Sequence, residues 1–232
     1  MNGEKTNIGA LFNRIAPTYD TLNHLLSLGI DKRWRRMTAK SLPPSERVLD
    51  VAVGTADLSI ELLKQRKAAH VTGIDLSQEM MRIGKSKAQQ LELPIDFLEA
   101  SALDMPFDND SFPTVVCAFG VRNFSNLEEG LSEMFRVLQP GGTMAVLEFS
   151  YPSNCFVRVC YDFYFSHILP VVGRLMSGDA TAYRYLNRSV KEFVWGEAFC
   201  EKVKAIGFSS VEYRPLTLGI CTLYLAQKAR TP

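Results

Sequence analysis

Apolar positions run along this chain in two alternating rhythms. In RVLDVAV (47–53), HVTGID (70–75), IDFLEAS (95–101), FPTVVCAF (112–119) and TMAVLEFS (143–150), short apolar runs read as buried strands. Between them the spacing turns helical: Ala56 to Arg66, a stretch capped by Ser77 and running to about Ala88, and Leu127 to Leu138. The last helix stops at QPGG, a strong terminator. Pro113 fits its strand only near the start, because it donates no ladder hydrogen bond. Apolar strands that each lead into a helix imply a parallel sheet covered on both faces.

The two ends depart from this rhythm. Before Ser45 the pattern is helical, with Leu22, Leu25, Leu26 and Trp34 set among polar and basic residues, and Pro43-Pro44 closes the segment. Residues 151–195 are aromatic-rich and helical in tendency, without a strand. A helix around Ala198 to Ile206 leads to FSSVEYRPL and GICTLYLAQK. These two strands have no helix between them and should form an antiparallel hairpin. A mostly parallel α/β sheet that ends in a hairpin differs from a symmetric doubled dinucleotide fold.

Composition narrows the classes. The 232 residues suffice for one core with an appended cap. A net charge of +1 gives no global field to draw nucleic acid or acidic lipid. No apolar run approaches the ~20 residues of a spanning helix, and MNGEKTNIGALF lacks the features of a signal peptide. A membrane-surface role stays open. Cys117, Cys155, Cys160, Cys200 and Cys221 form no C-x-x-C pair and no zinc spacing, so no metal site is expected. The scattered set reads as buried thiols in a reducing, cytoplasmic setting.

The candidate chemistry begins at VLDVAVGTADLSIELL (48–63). The loop after the first strand must lie at the carboxyl end of the sheet, where nucleotides bind. Asp75 ends the second strand twenty-one positions after Gly54 and can accept the two ribose hydroxyls of an adenosine. A dinucleotide's pyrophosphate needs G-x-G-x-x-G, whereas this loop offers Gly54, Ala56 and Ser59. S-adenosylmethionine carries no phosphate and needs only a tight turn, which Gly54 supplies. Asp50 could hold the loop or the cofactor's ammonium group, Thr55 offers a hydroxyl and an amide, and Asp57 is placed to cap the next helix.

Several longer stretches resemble one family, the S-adenosylmethionine-dependent C-methyltransferases that complete menaquinone and ubiquinone. They are FNRIAPTYDTLNHLLSLGIDKRWRR, LDVAVGTADL, LPIDFLEASALDMPFDNDSF, FGVRNF, RVLQPGGTMAVLEFS, YDFYFSHILPVVG and AYRYLNRSV, which together span nearly the whole chain. The loop and the P-G-G turn are common to many methyltransferases. The R-N pair and YDFYFSHILP single out quinone biosynthesis. The resemblance implies a Rossmann-like methyltransferase fold over 1–232, with 1–44 as a helical lid segment and 151–195 as an aromatic cap over the substrate. It makes alanine usual at position 52, matches Thr55 and Asp75 to cofactor positions, and places Ser101, Ala102 and Ala118 beside the adenosyl group. Ser101 stands where the family has Asn or Asp, Ala118 where serine is frequent, Pro113 where aspartate is usual, and Ala56 where glycine is usual. An alanine at 56 with positive φ would cost on the order of 1 kcal/mol.

The resemblance also implies the reaction: methyl transfer to a ring carbon of a demethylated prenyl quinol, with demethylmenaquinol ahead of a ubiquinol precursor. Arg122 and Asn123 become the catalytic candidates. Arg122 would stabilise the phenolate or assist its formation through water, and Asn123 would orient the substrate oxygen. His167 is either the direct base or a packed histidine beneath an aromatic lid. Tyr161, Phe163, Tyr164, Phe165, Ile168, Leu169, Val171, Val172, Leu175 and Met176 are too many for one narrow stripe. Some line a tail pocket or touch a bilayer, or else they bury a cap helix. DKRWRR could meet anionic head groups or form a solvated helix end. The expected partner is a small lipophilic quinol, with no nucleic acid; peripheral membrane contact and a homodimer stay open. Rival readings are another amphipathic acceptor, such as an amine, fatty acid or sterol, and a non-catalytic assembly partner in which Ala56, Ser101 and Pro113 mark erosion.

Overall fold

In the computed structural model, residues 8–168 and 180–230 are described. Leu169, Val171, Val172, Leu175 and Met176 lie outside them, as do the side chains of Leu22, Leu25, Leu26, Phe165 and Ile168. The elements run α1 (Ile8–Leu26), α2 (Ile30–Ser41), β1 (Ser45–Val51), α3 (Asp57–Lys64), β2 (Ala68–Asp75), α4 (Gln78–Gln90), β3 (Ile95–Glu99) and β4 (Phe112–Ala118). A 3₁₀ turn (Val121–Asn123), α5 (Leu127–Val137), β5 (Leu138–Phe149), α6 (Cys155–Phe163) and a π-helical turn (Tyr164–Ile168) follow. Then come α7 (Ala180–Glu192), α8 (Glu197–Ile206), β6 (Ser210–Leu216) and β7 (Cys221–Gln227).

One seven-stranded sheet has the order β3-β2-β1-β4-β5-β7-β6. The first five strands pair in parallel, and β7 pairs antiparallel with both β5 and β6. The chain order reverses between β1 and β4, which puts the switch point of the sheet beside the β1 loop. One face packs on α5 and α8 through Leu131, Met134, Phe199 and Val203. The other packs on α2 and α3 through Trp34, Ala39, Leu58 and Leu62. Helices therefore cover both faces, as the apolar strands require.

Local chemistry explains most boundaries. Ser77 caps α4 by accepting from the Met80 amide. Pro113 sits at a register shift near the start of β4, where its missing N–H is tolerated. The helix expected to stop at QPGG does end at Val137, but β5 begins at once and carries QPGG in its irregular first residues. Gly141 takes φ 78° there, a conformation that glycine adopts without strain. In DKRWRR the helical period buries Asp31, Trp34 and Arg35 and exposes Lys32, Arg33 and Arg36. Cys117, Cys200 and Cys221 are buried as expected, whereas Cys155 and Cys160 lie exposed on α6. Asp57 does not cap α3. The cap position is Ala56, without a side-chain bond, and Asp57 is the first helical residue, ion-paired to Lys87 at 2.5 Å.

Candidate active site

Two cavities meet above the carboxyl ends of the parallel strands. The smaller, about 220 Å³, is walled by the loops after β1, β2, β3 and β4. The larger, about 410 Å³, lies among α1, α2, α6 and α7 and is mostly apolar. Phe12, Tyr19 and Phe119 line both, so these rings form the boundary between the two spaces.

The loop after β1 makes three left-handed residues in alternation: Ala52 at φ 57°, Gly54 at φ 53° and Ala56 at φ 66°. The conformation costs each alanine roughly 1–2 kcal/mol. Three hydrogen bonds hold it: Val53 N to Ile74 O at 2.9 Å, Ala56 N to Val53 O at 2.9 Å, and Gly54 N to Asp75 Oδ2 at 2.8 Å. The smaller cavity is lined by Ala52 and Gly54, whereas the Ala56 methyl is fully buried beside Val53, Ile60 and Met81. Strain at Ala56 therefore bears on folding and does not narrow the cavity.

Asp75 lines the smaller cavity. Oδ2 accepts from the Gly54 amide and Oδ1 from the Ser77 amide, at 2.8 Å each. Both oxygens keep lone pairs for ligand hydroxyls. Burial raises its carboxyl above the ordinary aspartate range, against the pull of those amides. Ser101, Ala102 and Ala118 also line this cavity. The Ser101 hydroxyl also accepts from the Leu103 amide at 3.1 Å, which shapes its turn. Gly120 closes the floor. A Cβ there would stand 2.6 Å from Cys117 Sγ and 2.7 Å from the Ala52 methyl, so the β1 and β4 loops approach closely only because it is glycine.

Two expected cofactor residues stand behind the cavity wall. Asp50 is buried and accepts from Ser59 Oγ at 2.5 Å, and burial raises its carboxyl to about 7. It lines neither cavity, and of its two expected roles the geometry fits the one that braces the loop. Thr55 is also buried and absent from both linings; its hydroxyl donates to Asp20 Oδ1 at 2.6 Å. Asp20 accepts from Lys87 at 2.9 Å as well, and Asn13 accepts from the Ser77 hydroxyl and the Glu79 amide. Asn13 and Asp20 thus tie α1 across the loops after β1 and β2. In the sequence, Asp20 reads as a packing or capping residue, with closure over the cofactor as the alternative, and Asn13 carries no signal.

Arg122 lines the larger cavity with its side chain only 4% exposed. Nη1 donates to Glu148 Oε1 at 2.7 Å and also to the Phe119 carbonyl. Burial opposes charge on Arg122, but the Glu148 carboxylate and smaller contributions from Tyr19 and Tyr185 together outweigh it and keep the guanidinium cationic. Asn123 lines the smaller cavity instead. Its amide is engaged on both sides: Nδ2 donates to Phe119 O at 3.3 Å, and Oδ1 accepts from Tyr185 at 2.9 Å. Asn123 therefore stands on the cofactor side, and Tyr185, which lines the larger cavity from α7, reaches it across the boundary.

His167 does not reach either cavity. It is exposed, stacked on Phe163 with ring centroids 5.0 Å apart, and its Nδ1 contacts the Phe163 carbonyl at 3.2 Å. The expected base, and the alternative of a packed histidine, both give way to a surface position on the π-helical turn. Tyr161 and Tyr164 from the same stretch do line the cavity. Glu148 and Tyr185 were missed. An acid inside the apolar run TMAVLEFS was a visible signal for the first; nothing in the spacing marks the second.

A Rossmann-like sheet of this order, with an acid closing β2 and a turn without a phosphate cradle after β1, defines the class of S-adenosylmethionine-dependent methyltransferases. The donors present suit that cofactor: Asp75 for ribose, Gly54 for a close backbone approach, and no cationic group in the lining of the smaller cavity to meet a phosphate. The chain belongs to the ubiE/COQ5 methyltransferase family, whose model matches residues 1–228. It is 43% identical over 226 residues to the demethylmenaquinone methyltransferase of Porphyromonas gingivalis, covering 95% of this chain and 92% of that one. It is 43% identical over 231 residues to the ubiquinone/menaquinone biosynthesis C-methyltransferase UbiE of Geotalea daltonii, covering 97% of each. Among solved structures, a SAM-dependent methyltransferase from Thermotoga maritima superposes with a TM-score of 0.66 at 16% identity, over 94% of this chain and 98% of that one. The [4+2]-cyclase SpnF superposes with a TM-score of 0.69, also at 16% identity, over 97% and 96%. These two likenesses concern the fold.

Proposed function

We propose that this enzyme methylates a ring carbon of a demethylated prenyl quinol, demethylmenaquinol before a ubiquinol precursor. The observation that carries the reading is Arg122: a buried cation, paired with Glu148, in the wall of a mostly apolar cavity that also holds the Arg35–Asp31 ion pair and shares Phe12, Tyr19 and Phe119 with the cofactor space. A flat aromatic acceptor with one ionisable oxygen fits such a wall. The relatives named for menaquinone and ubiquinone biosynthesis support the same acceptor class.

When bound, S-adenosylmethionine supplies an electrophilic methyl group, so the acceptor carbon needs electron density and alignment. Asp75 and the Gly54 turn hold the ribose and the methionyl part, and Ser101, Ala102 and Ala118 frame the adenosyl group. Arg122 meets the acceptor oxygen and favours loss of its proton to water, because a buried guanidinium stabilises the phenolate strongly. Phenolate charge reaches the adjacent ring carbon, where the carbon–methyl bond would form as the methyl's bond to sulfur breaks, releasing S-adenosylhomocysteine. That carbon's own proton then leaves to water, the ring returns to a phenolate, and a proton from water restores the quinol. Tyr185 and Asn123 orient the boundary between the spaces, while the aromatic walls exclude water and fix the ring plane.

Residues 1–44 act as a lid and 151–195 as a cap. α1 is tied by Asn13 and Asp20 over the cofactor loops, and α6 and α7 close the far side of the larger cavity. Exposed Leu28 lines the cavity itself, and exposed Leu218 follows Thr217, which lines it. On α6 and the first residue of the π-helical turn, exposed Phe156, Val159 and Phe163 alternate with lining residues Val157, Cys160 and Tyr164. This apolar rim supports contact with the cytoplasmic face of a bilayer, from which a prenyl tail would enter. Among the described residues no helix is long and apolar enough to cross a membrane. Turnover should be compared between a short-chain demethylmenaquinol and a demethylated ubiquinol precursor, with labelled cofactor. Faster labelling of the naphthoquinol is expected, and transfer to neither acceptor overturns the proposal.

A further inference from the structure

Arg122 is held mainly by one carboxylate, with the Phe119 carbonyl as a second acceptor for Nη1. Its Nη1 and its backbone amide both bind the two oxygens of a single carboxylate, Glu148: Oε1 at 2.7 Å and Oε2 at 3.3 Å. Glu148 Oε1 also accepts from the Phe149 amide at 2.8 Å, which anchors the carboxylate to β5. Arg122 Nε is buried, and it has no hydrogen-bond partner among the described residues, although Arg122 lines the larger cavity. A buried donor on a cation is normally satisfied. Here Nε is sealed and unpaired, so among the described residues the guanidinium is held through Nη1, by Glu148 and the Phe119 carbonyl.

Glu148 itself is fully buried in the sheet, opposite Thr222 of β7, and lines neither cavity. Burial raises its carboxyl above the ordinary glutamate range, against Arg122 and the two amides. A carboxylate in the sheet interior is expensive to keep unless its partners are well placed. We infer that Glu148 is the positioning residue for methyl transfer: by holding Nη1 and the 122 amide together, it fixes the rotation of the guanidinium that lines the larger cavity, where the acceptor's oxygen sits. This rests on the reading that the oxygen sits against Arg122. Because one oxygen grips the side chain and the other the backbone, the grip locks the 3₁₀ turn and the guanidinium as one unit. Charge alone would not require both contacts.

Glu148→Asp separates geometry from charge, since it keeps the carboxylate but withdraws it by one methylene. Glu148→Gln keeps the shape and removes the charge. Displacing a reacting group by about 1 Å can cost on the order of 100-fold in rate. Both variants should therefore lower kcat by about that factor with a demethylnaphthoquinol. Acceptor KM and the affinity for S-adenosylhomocysteine, measured by calorimetry, should stay within about twofold of the parent. Thermal melts identify any variant that fails to fold, in which case the more conservative Glu148→Asp carries the comparison. A folded Glu148→Asp with kcat within about twofold of the parent overturns the positioning role. So does a loss of cofactor affinity equal to the loss of rate, which would mark Glu148 as a structural brace. If the parent enzyme transfers no methyl to the quinol, the functional reading falls and this inference falls with it.

Discussion

The two cavities are built in opposite ways. The smaller is made of backbone: a left-handed turn, a glycine floor at Gly120, and one carboxylate oriented by two amides. The larger is made of side chains from helices and turns scattered between Leu11 and Ile220. A backbone site is set by consecutive residues and tolerates sequence change wherever the turn survives. A side-chain site depends on packing between distant segments, and the buried cations in its lining, Arg35 and Arg122, each keep a carboxylate partner, Asp31 and Glu148. Cofactor affinity and acceptor chemistry should therefore fail separately.

The sharpest break in that division is Arg122→Ala. It removes the phenolate partner and should lower kcat by about 100–1,000-fold, while S-adenosylhomocysteine binding stays near the parent value. It also leaves Glu148 buried and unpaired, so stability should fall by about 3 kcal/mol or more in denaturant unfolding. Equal loss of cofactor affinity would show that the two spaces are not independent. On the other side, Asp75→Ala should weaken S-adenosylhomocysteine by roughly 10–100-fold in calorimetry, because it removes hydrogen bonds to a charged group. The acceptor KM at saturating cofactor should move little.

Asp50 tests the claim that it braces the loop from behind. Its carboxyl titrates near 7 in the folded protein because it is buried, against about 4 when unfolded. The folded state thus binds the proton more tightly. The contribution to stability is full below about pH 4 and is lost as pH rises toward 7. Asp50→Asn cannot ionise and can still accept from Ser59. Its melting temperature should exceed the parent's by about 3 °C or more at pH 8 and match it near pH 4. A lower melting temperature at pH 8 would mean that the ionised carboxylate is needed. The smallest effect belongs to His167→Ala. With the ring exposed on Phe163, turnover should change by less than about twofold across pH 6 to 8. A tenfold loss would return the histidine to the chemistry.

The same contrast governs how much could be read in advance. The parallel order, the hairpin and the cofactor turn follow from local rhythm and from the interval between Gly54 and Asp75. Each is a relation between neighbours in the chain. The wall of the larger cavity is not: Trp34 Nε1 donates to Thr217 Oγ1 at 2.8 Å across 183 residues, and Tyr185 reaches Asn123 across 62. No periodicity encodes such a meeting. Asp57 misled as a helix cap for a related reason, and the Thr55 hydroxyl is engaged in the same way. Their side chains are taken by Lys87 and Asp20, partners brought in by α4 and α1. The departures that suggested erosion also change meaning in three dimensions. Pro113 stands at the far start of β4 and Ala56 packs behind the turn, so neither enters the cofactor cavity. Of the three, only Ser101 does.

The central claim is that Arg122 directs a cofactor methyl group to carbon on a quinol ring. The most direct measurement is carbon NMR of the product formed from methyl-labelled S-adenosylmethionine and a short-chain demethylmenaquinol. The account predicts a single labelled methyl resonance at the chemical shift of a ring-bound carbon, absent from the Arg122→Ala reaction. A labelled methyl ether, with the group on the quinol oxygen, or undiminished carbon methylation by Arg122→Ala, would contradict it.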